Sequence, residues 1–459
     1  MSALLLSLGA IVAGILAGGD PFFQSQAPGF GGQVGTRLAI AVVALTHILS
    51  AGLISGAGQL GPLVEWLGYV RRREDYDRLA HGLGKFAVVY FAISSSIAFL
   101  FVTVLLTGLW GHFWTTLVRV MWVPLVIELF AFLFEIMFAY LWYYSWEPLR
   151  QHKRLHLALG GLLVVADFLQ VLMINVVASY METPTAPTNL FRVILNPTFY
   201  ELQVHRIVAN LAYIGFGIAA FAGWRFLRTR DAEKKKYYDW AGSFGMLVGI
   251  ELTLLQPLVG YSYAKEIQLH SYGSWYRMML GNLSTLFLFQ MVLLGVMLLV
   301  ACLYFARRLR SDRAPGHRLV LGMSIAMVVT TLFAAMPYHL AFTYQQVQAA
   351  GRDRPFWQGG LINPLGAMLP WKVLALMAYS VLAVAAVTWY LRGLRGIRWG
   401  NAGRGEQRLL VSSALLTAGM IITMGVIREN GRQPDLIYGQ MSVHGQGPTT
   451  APSAPLAPP

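Results

Sequence analysis

The sequence predicts an all-α, polytopic membrane helix bundle with about ten transmembrane helices, and three observations carry that prediction. The chain is 56% hydrophobic and only 12% charged, with a mean hydropathy of +0.55, far from a soluble domain. Ten apolar runs are each long enough to cross a bilayer, which takes roughly 20 helical residues. The loops between those runs alternate sharply in charge.

Taken in order, residues 3–18 are apolar but short, with no Lys or Arg before them. A signal-like segment and an additional helix both fit them. Residues 19–35 form a Gly- and Pro-rich loop, so 1–35 stands apart from the membrane domain proper, 36–434. The expected spans are 36–58, 85–109, 118–144, 157–181, 203–226, 240–262, 282–306, 318–345, 370–391 and 409–427. Arg71-Arg72-Arg73, Arg150/Lys153/Arg154, Lys234-Lys235-Lys236, Arg307/Arg308/Arg310 and Arg395/Arg398/Arg404 all fall in every second loop. By the positive-inside rule those loops are cytoplasmic, which puts Gly32 and the stretch around Glu429 outside. The net charge of +14 therefore sets topology and does not point to nucleic acid. No internal repeat is evident, and residues 435–459 form a Pro-rich tail expected to be disordered. The expected location is the inner (plasma) membrane, multi-pass, with this tail outside and the lipid bilayer as a partner.

The single cysteine, Cys302, sits inside an apolar run. It excludes disulfides within the chain, a thiolate-held cluster and a covalently attached c-type haem. Any iron must be held by His, Met or carboxylate.

Ionisable groups inside spans cost several kcal/mol unless paired, so each is a functional candidate. His47 lies in the middle of the first span, with Arg37 ten residues earlier at the outer rim. A buried, satisfied histidine is the plain reading. The third span holds Glu128 and Glu135. Seven residues fall about 20° short of two full turns, so both carboxylates share one helix face, about 10 Å apart. A proton path or a metal site explains such a pair better than packing does. Asp167 and Glu251 are expected to be buried acids, either bonded between helices or part of a proton relay. His205 opens the fifth span after Asn196-Pro197, and Lys372 and Met377 begin the ninth. Arg428-Glu429-Asn430-Gly431-Arg432-Gln433-Pro434 ends the tenth. There Gly431 permits backbone angles that other residues avoid, and Pro434 cannot continue a helix. One reading is a helix cap with an interfacial ion pair; the other is a carboxylate on a metal and a guanidinium on an anion. By the charge topology, Arg37, His47, Glu128, Glu135, His205, Lys372, Met377 and Glu429 gather in the outer half of the membrane.

The string Glu429-Asn430-Gly431-Arg432-Gln433-Pro434 resembles the signature of subunit I of the cytochrome bd-type oxidases. So do Arg37-Leu38 to His47, Pro124 to Glu135 with Trp146, Asn196-Pro197 to His205, and Ser243-Phe244-Gly245-Met246 to Gly260-Tyr261. The resemblance implies low-spin and high-spin b haems and a haem d or a further haem b. Through it His205 is expected on the low-spin iron and His47 on a high-spin iron that binds O2. Glu429 is expected on the other high-spin iron, with Glu128 and Glu135 moving protons. Arg37 and Arg432 are expected at haem carboxylates, and Lys372 stands near the family's arginine. Met377, a turn beyond the place of the family's axial methionine, is the available substitute.

A second membrane subunit and a quinol or cytochrome c-type donor are implied as partners. The family's acids are spaced by eight residues, so Glu128 stands one place out. The family's long hydrophilic loop is replaced by 263–281 followed by two further spans, which favours a donor other than quinol. Two rival readings are a haem-bearing electron-transfer subunit without O2 reduction and a proton-coupled transporter.

Overall fold

The computed structural model describes residues 32–185, 189–279, 283–334 and 370–432. Every regular element among them is helical. α1 (Gly32–Arg71) and α2 (Glu74–Phe99) form an antiparallel pair, and α2 continues as a π-helical turn, Leu100–Leu106. α3 (Gly111–Tyr144) and α4 (Lys153–Tyr180) form the next pair. A short α5 (Leu190–Ile194) leads into α6 (Phe199–Arg228) and α7 (Ala232–Thr253). After a break at Leu254-Leu255, α8 (Gln256–His270) extends α7, with Pro257 in its first turn where no amide is needed. α9 (Tyr272–Met279) is short, followed by α10 (Ser284–Ser311), α11 (His317–Ala334), α12 (Pro370–Gly393) and α13 (Arg404–Arg432).

Nine helices among the described residues are long and apolar enough to cross a membrane, α7 and α8 counting as one. α11 holds the described part of the expected eighth span; its remainder, 335–345, lies outside the described residues, as do the segment 3–18 and the tail 435–459. Helices run well past the apolar runs. α1 has 40 residues, about 60 Å at 1.5 Å per residue, twice the hydrocarbon thickness.

α6 and α7 are the shared wall of two helix groups. Their backbones nearly touch: a Cβ at Gly215 would lie 2.6 Å from the Gly249 nitrogen, and one at Gly245 would lie 2.6 Å from the Ala219 nitrogen. Small residues allow this approach where lipid offers no hydrophobic drive to pack. On one side α1–α4 bury Ala57, Val64, Leu83, Trp142 and Leu163 against Ile214 and Ile218 of α6. On the other, α10–α13 bury Met297, Phe305, Ala383, Tyr390 and Leu410 against Phe216 and Met246.

The second group is locked at its Arg-rich end. Arg308 of α10 donates to Asp239 of α7 (2.7 Å) and to the Arg398 carbonyl (2.8 Å), and it pairs with Asp312. Asp239 also accepts from the Gly400 amide at 2.8 Å. Gly400 has φ +97°, a left-handed conformation suited to glycine.

Candidate functional site

His47 and His205 come from helices that cross closely: a Cβ at Gly56 of α1 would lie 2.5 Å from the Asn210 carbonyl of α6. The ring of His47 lies over Phe101, with centroids 6.3 Å apart and planes 24° from parallel. Phe101 sits in the π-helical turn, a widening of the helix that often marks functional sites. His205 lies two turns into α6. The chain before it is tied down by Asn196, which donates to Ser179 Oγ (2.8 Å) and to the Val193 carbonyl (3.1 Å). Its ring stands 6.0 Å from that of Tyr263 on α8, and its carbonyl accepts from Gln256 Nε2 at 3.1 Å. In both histidines Nδ1 is buried without a hydrogen bond. Arg206 stands within electrostatic reach of both rings.

The end of α13 closes this side. Arg428 donates to the Ala178 carbonyl at 2.7 Å, and its Nε stands 3.9 Å from Glu182 Oε2. Arg432 pairs with Glu429. The helix continues to Arg432, so Gly431 is helical and uses no special backbone angle, contrary to the expectation of a cap. Its missing side chain serves a close approach instead. Met278 of α9 packs 3.0 Å from where a Cβ would stand, and Arg277 donates to the Gly431 carbonyl at 2.9 Å. Glu182 is 1% exposed and neither oxygen accepts a hydrogen bond. Burial pushes its carboxyl above the ordinary value, while Arg428 and Arg432 pull it back.

A polar column lies between α1, α3, α4 and α6. Gln59 donates to Asp167 at 2.5 Å and to Ser55 at 3.1 Å, and Asn210 donates to Ser55 at 3.1 Å. Buried Glu135 faces Asp167 closely enough for the two carboxyls to interact. Glu128, half-buried, accepts from Gln170 at 3.0 Å. Both glutamates of α3 therefore face α4. Nearer the Arg-rich loops, fully buried Glu65 meets His156 (2.6 Å), Trp142 Nε1 (2.7 Å) and Lys153 (2.8 Å), and Lys153 also reaches Asp77 at 2.9 Å.

Other expected residues are not brought together with these. Met377 is 62% exposed on α12, a helix that packs mainly on α11 and α10. Lys372 lies in the first turn of α12, and its side chain is outside the described set. Glu251 is exposed on α7 and not the buried acid expected. Arg37 is exposed near the start of α1. Gln433 and Pro434 lie outside the described residues.

Sequence reasoning passed over Gln59, Glu65, His156 and Glu182 because polar residues cut an apolar run short. Gln59 is the first residue after 36–58, and His156 and Glu182 flank 157–181. The helix lengths recover three of them: α1 extends through Gln59 and Glu65 and α4 through His156, while Glu182 stands two residues past the end of α4. Arg206 and Asn210 lie within the expected fifth span, where no local pattern sets them apart.

The family model for cytochrome bd terminal oxidase subunit I matches residues 36–272. Cytochrome bd ubiquinol oxidase subunit 1 of Bacillus subtilis (strain 168) is 25% identical over 250 residues, 50% of this chain and 50% of that protein. The chain thus spans about half the length of that curated relative. The bd oxidase structure from Geobacillus thermodenitrificans has a similar fold, with a TM-score of 0.51 and 15% identity over 87% of this chain and 98% of that one. With the family model covering more than half of its length, the chain belongs to the cytochrome bd terminal oxidase subunit I family.

Proposed function

We propose that this chain is the haem-binding subunit of a membrane oxygen reductase, which works with a second membrane subunit to reduce O2 to water. The observation that carries this reading is the pair of buried imidazoles, His47 and His205, each with an unpartnered Nδ1 beside guanidinium groups. Among the described residues no three His, Cys, Asp or Glu side chains are placed to hold a bare ion. Isolated imidazoles suit a metal that arrives with its own four nitrogens, and guanidiniums suit the carboxylates of such a macrocycle. The residues therefore fit haem.

His205 would hold a low-spin b haem, His47 a high-spin haem, and Glu429 a second high-spin haem of d or b type. Arg432, Arg37 and Lys372 would meet carboxylates. Haem supplies an iron that exchanges electrons and, with one position open, binds O2. Met377 is exposed on α12, which packs mainly on α11 and α10, so the second ligand of the low-spin iron is assigned to no described residue.

This chain's own part is to move protons and to exclude water. Lys153 and Asp77, partly exposed, stand at the Arg-rich end, which the positive-inside rule makes cytoplasmic. Glu65 and His156 lie next, then the Glu135–Asp167 pair, then Glu128. Two carboxyls within reach of each other can hand a proton on. Protons drawn from the cytoplasmic end and consumed near the opposite face charge the membrane. The setting is the plasma membrane, with the end of α13 outside.

The test is a reduced-minus-oxidised spectrum with acid-acetone extraction of the purified complex. At least two non-covalent haems are expected. None, in material made with adequate haem supply, ends this reading.

A further inference from the structure

His156 of α4 has both ring nitrogens engaged, and the two bonds differ in kind. Nε2 stands 2.8 Å from the Trp142 carbonyl, and Nδ1 stands 2.6 Å from Glu65 Oε1. A carbonyl oxygen can only accept, so Nε2 carries a hydrogen. A bare Nδ1 facing a bare carboxylate would set two lone pairs against each other. One proton therefore lies between the two groups, as imidazolium with carboxylate or as imidazole with carboxylic acid.

This proton is held in place and is reached from one side. Neither side chain is more than 2% exposed. Glu65 Oε2 accepts from Trp142 Nε1 at 2.7 Å, and glycines pack the indole in. A Cβ at Gly61 would lie 2.8 Å from that ring, one at Gly84 3.0 Å and one at Gly160 3.2 Å. Glu65 Oε1 also accepts from Lys153 Nζ at 2.8 Å, and the same ammonium reaches Asp77 at 2.9 Å. The side chains of Lys153 and Asp77 are 24% and 37% exposed, at the end of the Arg-rich loops. His81 of α2, stacked on Trp146, stands within electrostatic range of His156, with Glu147 and Lys85 near it.

We propose that Glu65 and His156 act as one proton-loading group that holds a single shared proton, and that Lys153 sets the pH at which it reloads. This deepens the proton route given above and rests on it. The shared proton leaves inward, toward Asp167 and Glu135, and the pair is left with one net negative charge. A proton from water at the Lys153–Asp77 end restores it, and no electron moves. The Lys153 ammonium attracts the deprotonated pair directly. Without that ammonium the Asp77 carboxylate is also no longer neutralised, and both changes make the pair keep its proton to higher pH.

The experiment mixes the pre-reduced, purified full complex with O2 and follows proton uptake with a pH-indicator dye at a series of pH values. Glu65→Gln and His156→Gln are each expected to keep haem content and to slow uptake on the order of 10²-fold. The double variant is expected to be no slower than either single one, because the pair acts as a unit. Lys153→Met, at a partly exposed position, should leave the pair in place and move the alkaline fall in uptake up by about 1–3 pH units. Uptake at the wild-type rate in either single variant overturns the proposal, as does a double variant slower than both. An alkaline fall that Lys153→Met leaves unmoved overturns it too, and this measurement decides where the buried variants fail to assemble. Glu135→Gln is the control: slow uptake there, with unaffected pair variants, ends this inference alone. Wild-type complex without haem ends the oxygen-reductase reading beneath it as well.

Discussion

Arg308 and Asp239 form an ion pair, 2.7 Å from Nη2 to Oδ2, in which neither side chain is exposed. The pair joins α10 to α7, and the Arg398 carbonyl and the Gly400 amide complete its hydrogen bonds. Removing one partner of such a pair leaves an uncompensated buried charge, which costs about 3–5 kcal/mol. Arg308→Met should therefore lower the melting temperature in detergent markedly. The double variant Arg308→Met/Asp239→Leu should recover part of the loss, since no lone charge remains. A double variant no better than the single one would show that the pair is not the source of the effect.

Glu182 gives a pH dependence whose sign follows from its surroundings. Burial raises its carboxyl above the ordinary 4.5, so the folded protein holds this proton more tightly than the unfolded chain does. The stability from this group is full below the ordinary value and is lost as pH rises through the folded value. Glu182→Gln, which cannot ionise, should escape that loss. Melting curves of both proteins, taken at rising pH from about 4.5, should diverge in favour of the variant. Curves that stay parallel would show that Glu182 keeps its charge on folding, held by Arg428.

Glu135 and Asp167 carry the proton hypothesis. Glu135→Gln keeps the shape and the contact with Asp167 but cannot take up or release a proton. O2 consumption should fall on the order of 10²-fold, the scale of losing a positioned acid–base group. Chemical reduction of the haems should stay intact. An oxygen electrode and a dithionite spectrum on the same sample separate the two. Full turnover in the variant would remove Glu135 from the path.

The fold was legible in the sequence because lipid demands long apolar helices, and loop charge marks where each one turns. The sequence also exposed His47, Glu128, Glu135, His205 and Glu429, because an ionisable residue stands out against apolar neighbours. What it hid lies at the edges of the runs. Gln59 and Glu65 lie on α1 beyond the end of the expected first span, and their partners Asp167 and His156 sit on α4, about a hundred residues away in sequence. No local pattern announces such pairings. Gly431 was misread because its use depends on α9: Met278 needs the space, and the backbone needs no unusual angle. Glu251 was misread because helical periodicity cannot say which face a neighbour will cover.

The last prediction separates His205 from His47. They sit on different helices, α6 and α1, yet Arg206 stands within electrostatic range of both. Under the roles proposed here, His205 serves a low-spin haem that relays electrons, and His47 serves a high-spin haem that binds gas. His205→Ala should abolish the low-spin b signal and stop electron delivery, while carbon monoxide binding by chemically reduced protein stays largely intact. His47→Ala should do the reverse. Because Met377 is exposed on α12, the opposite side of that iron is the vulnerable point. If it is open, His205→Ala will also lower carbon monoxide binding, and the low-spin assignment fails for this chain. Carbon monoxide difference spectra and total haem, measured on both variants after a check of folding, decide between these outcomes. Identical losses in the two variants would mean that the histidines serve one site, and the division of roles would have to be given up.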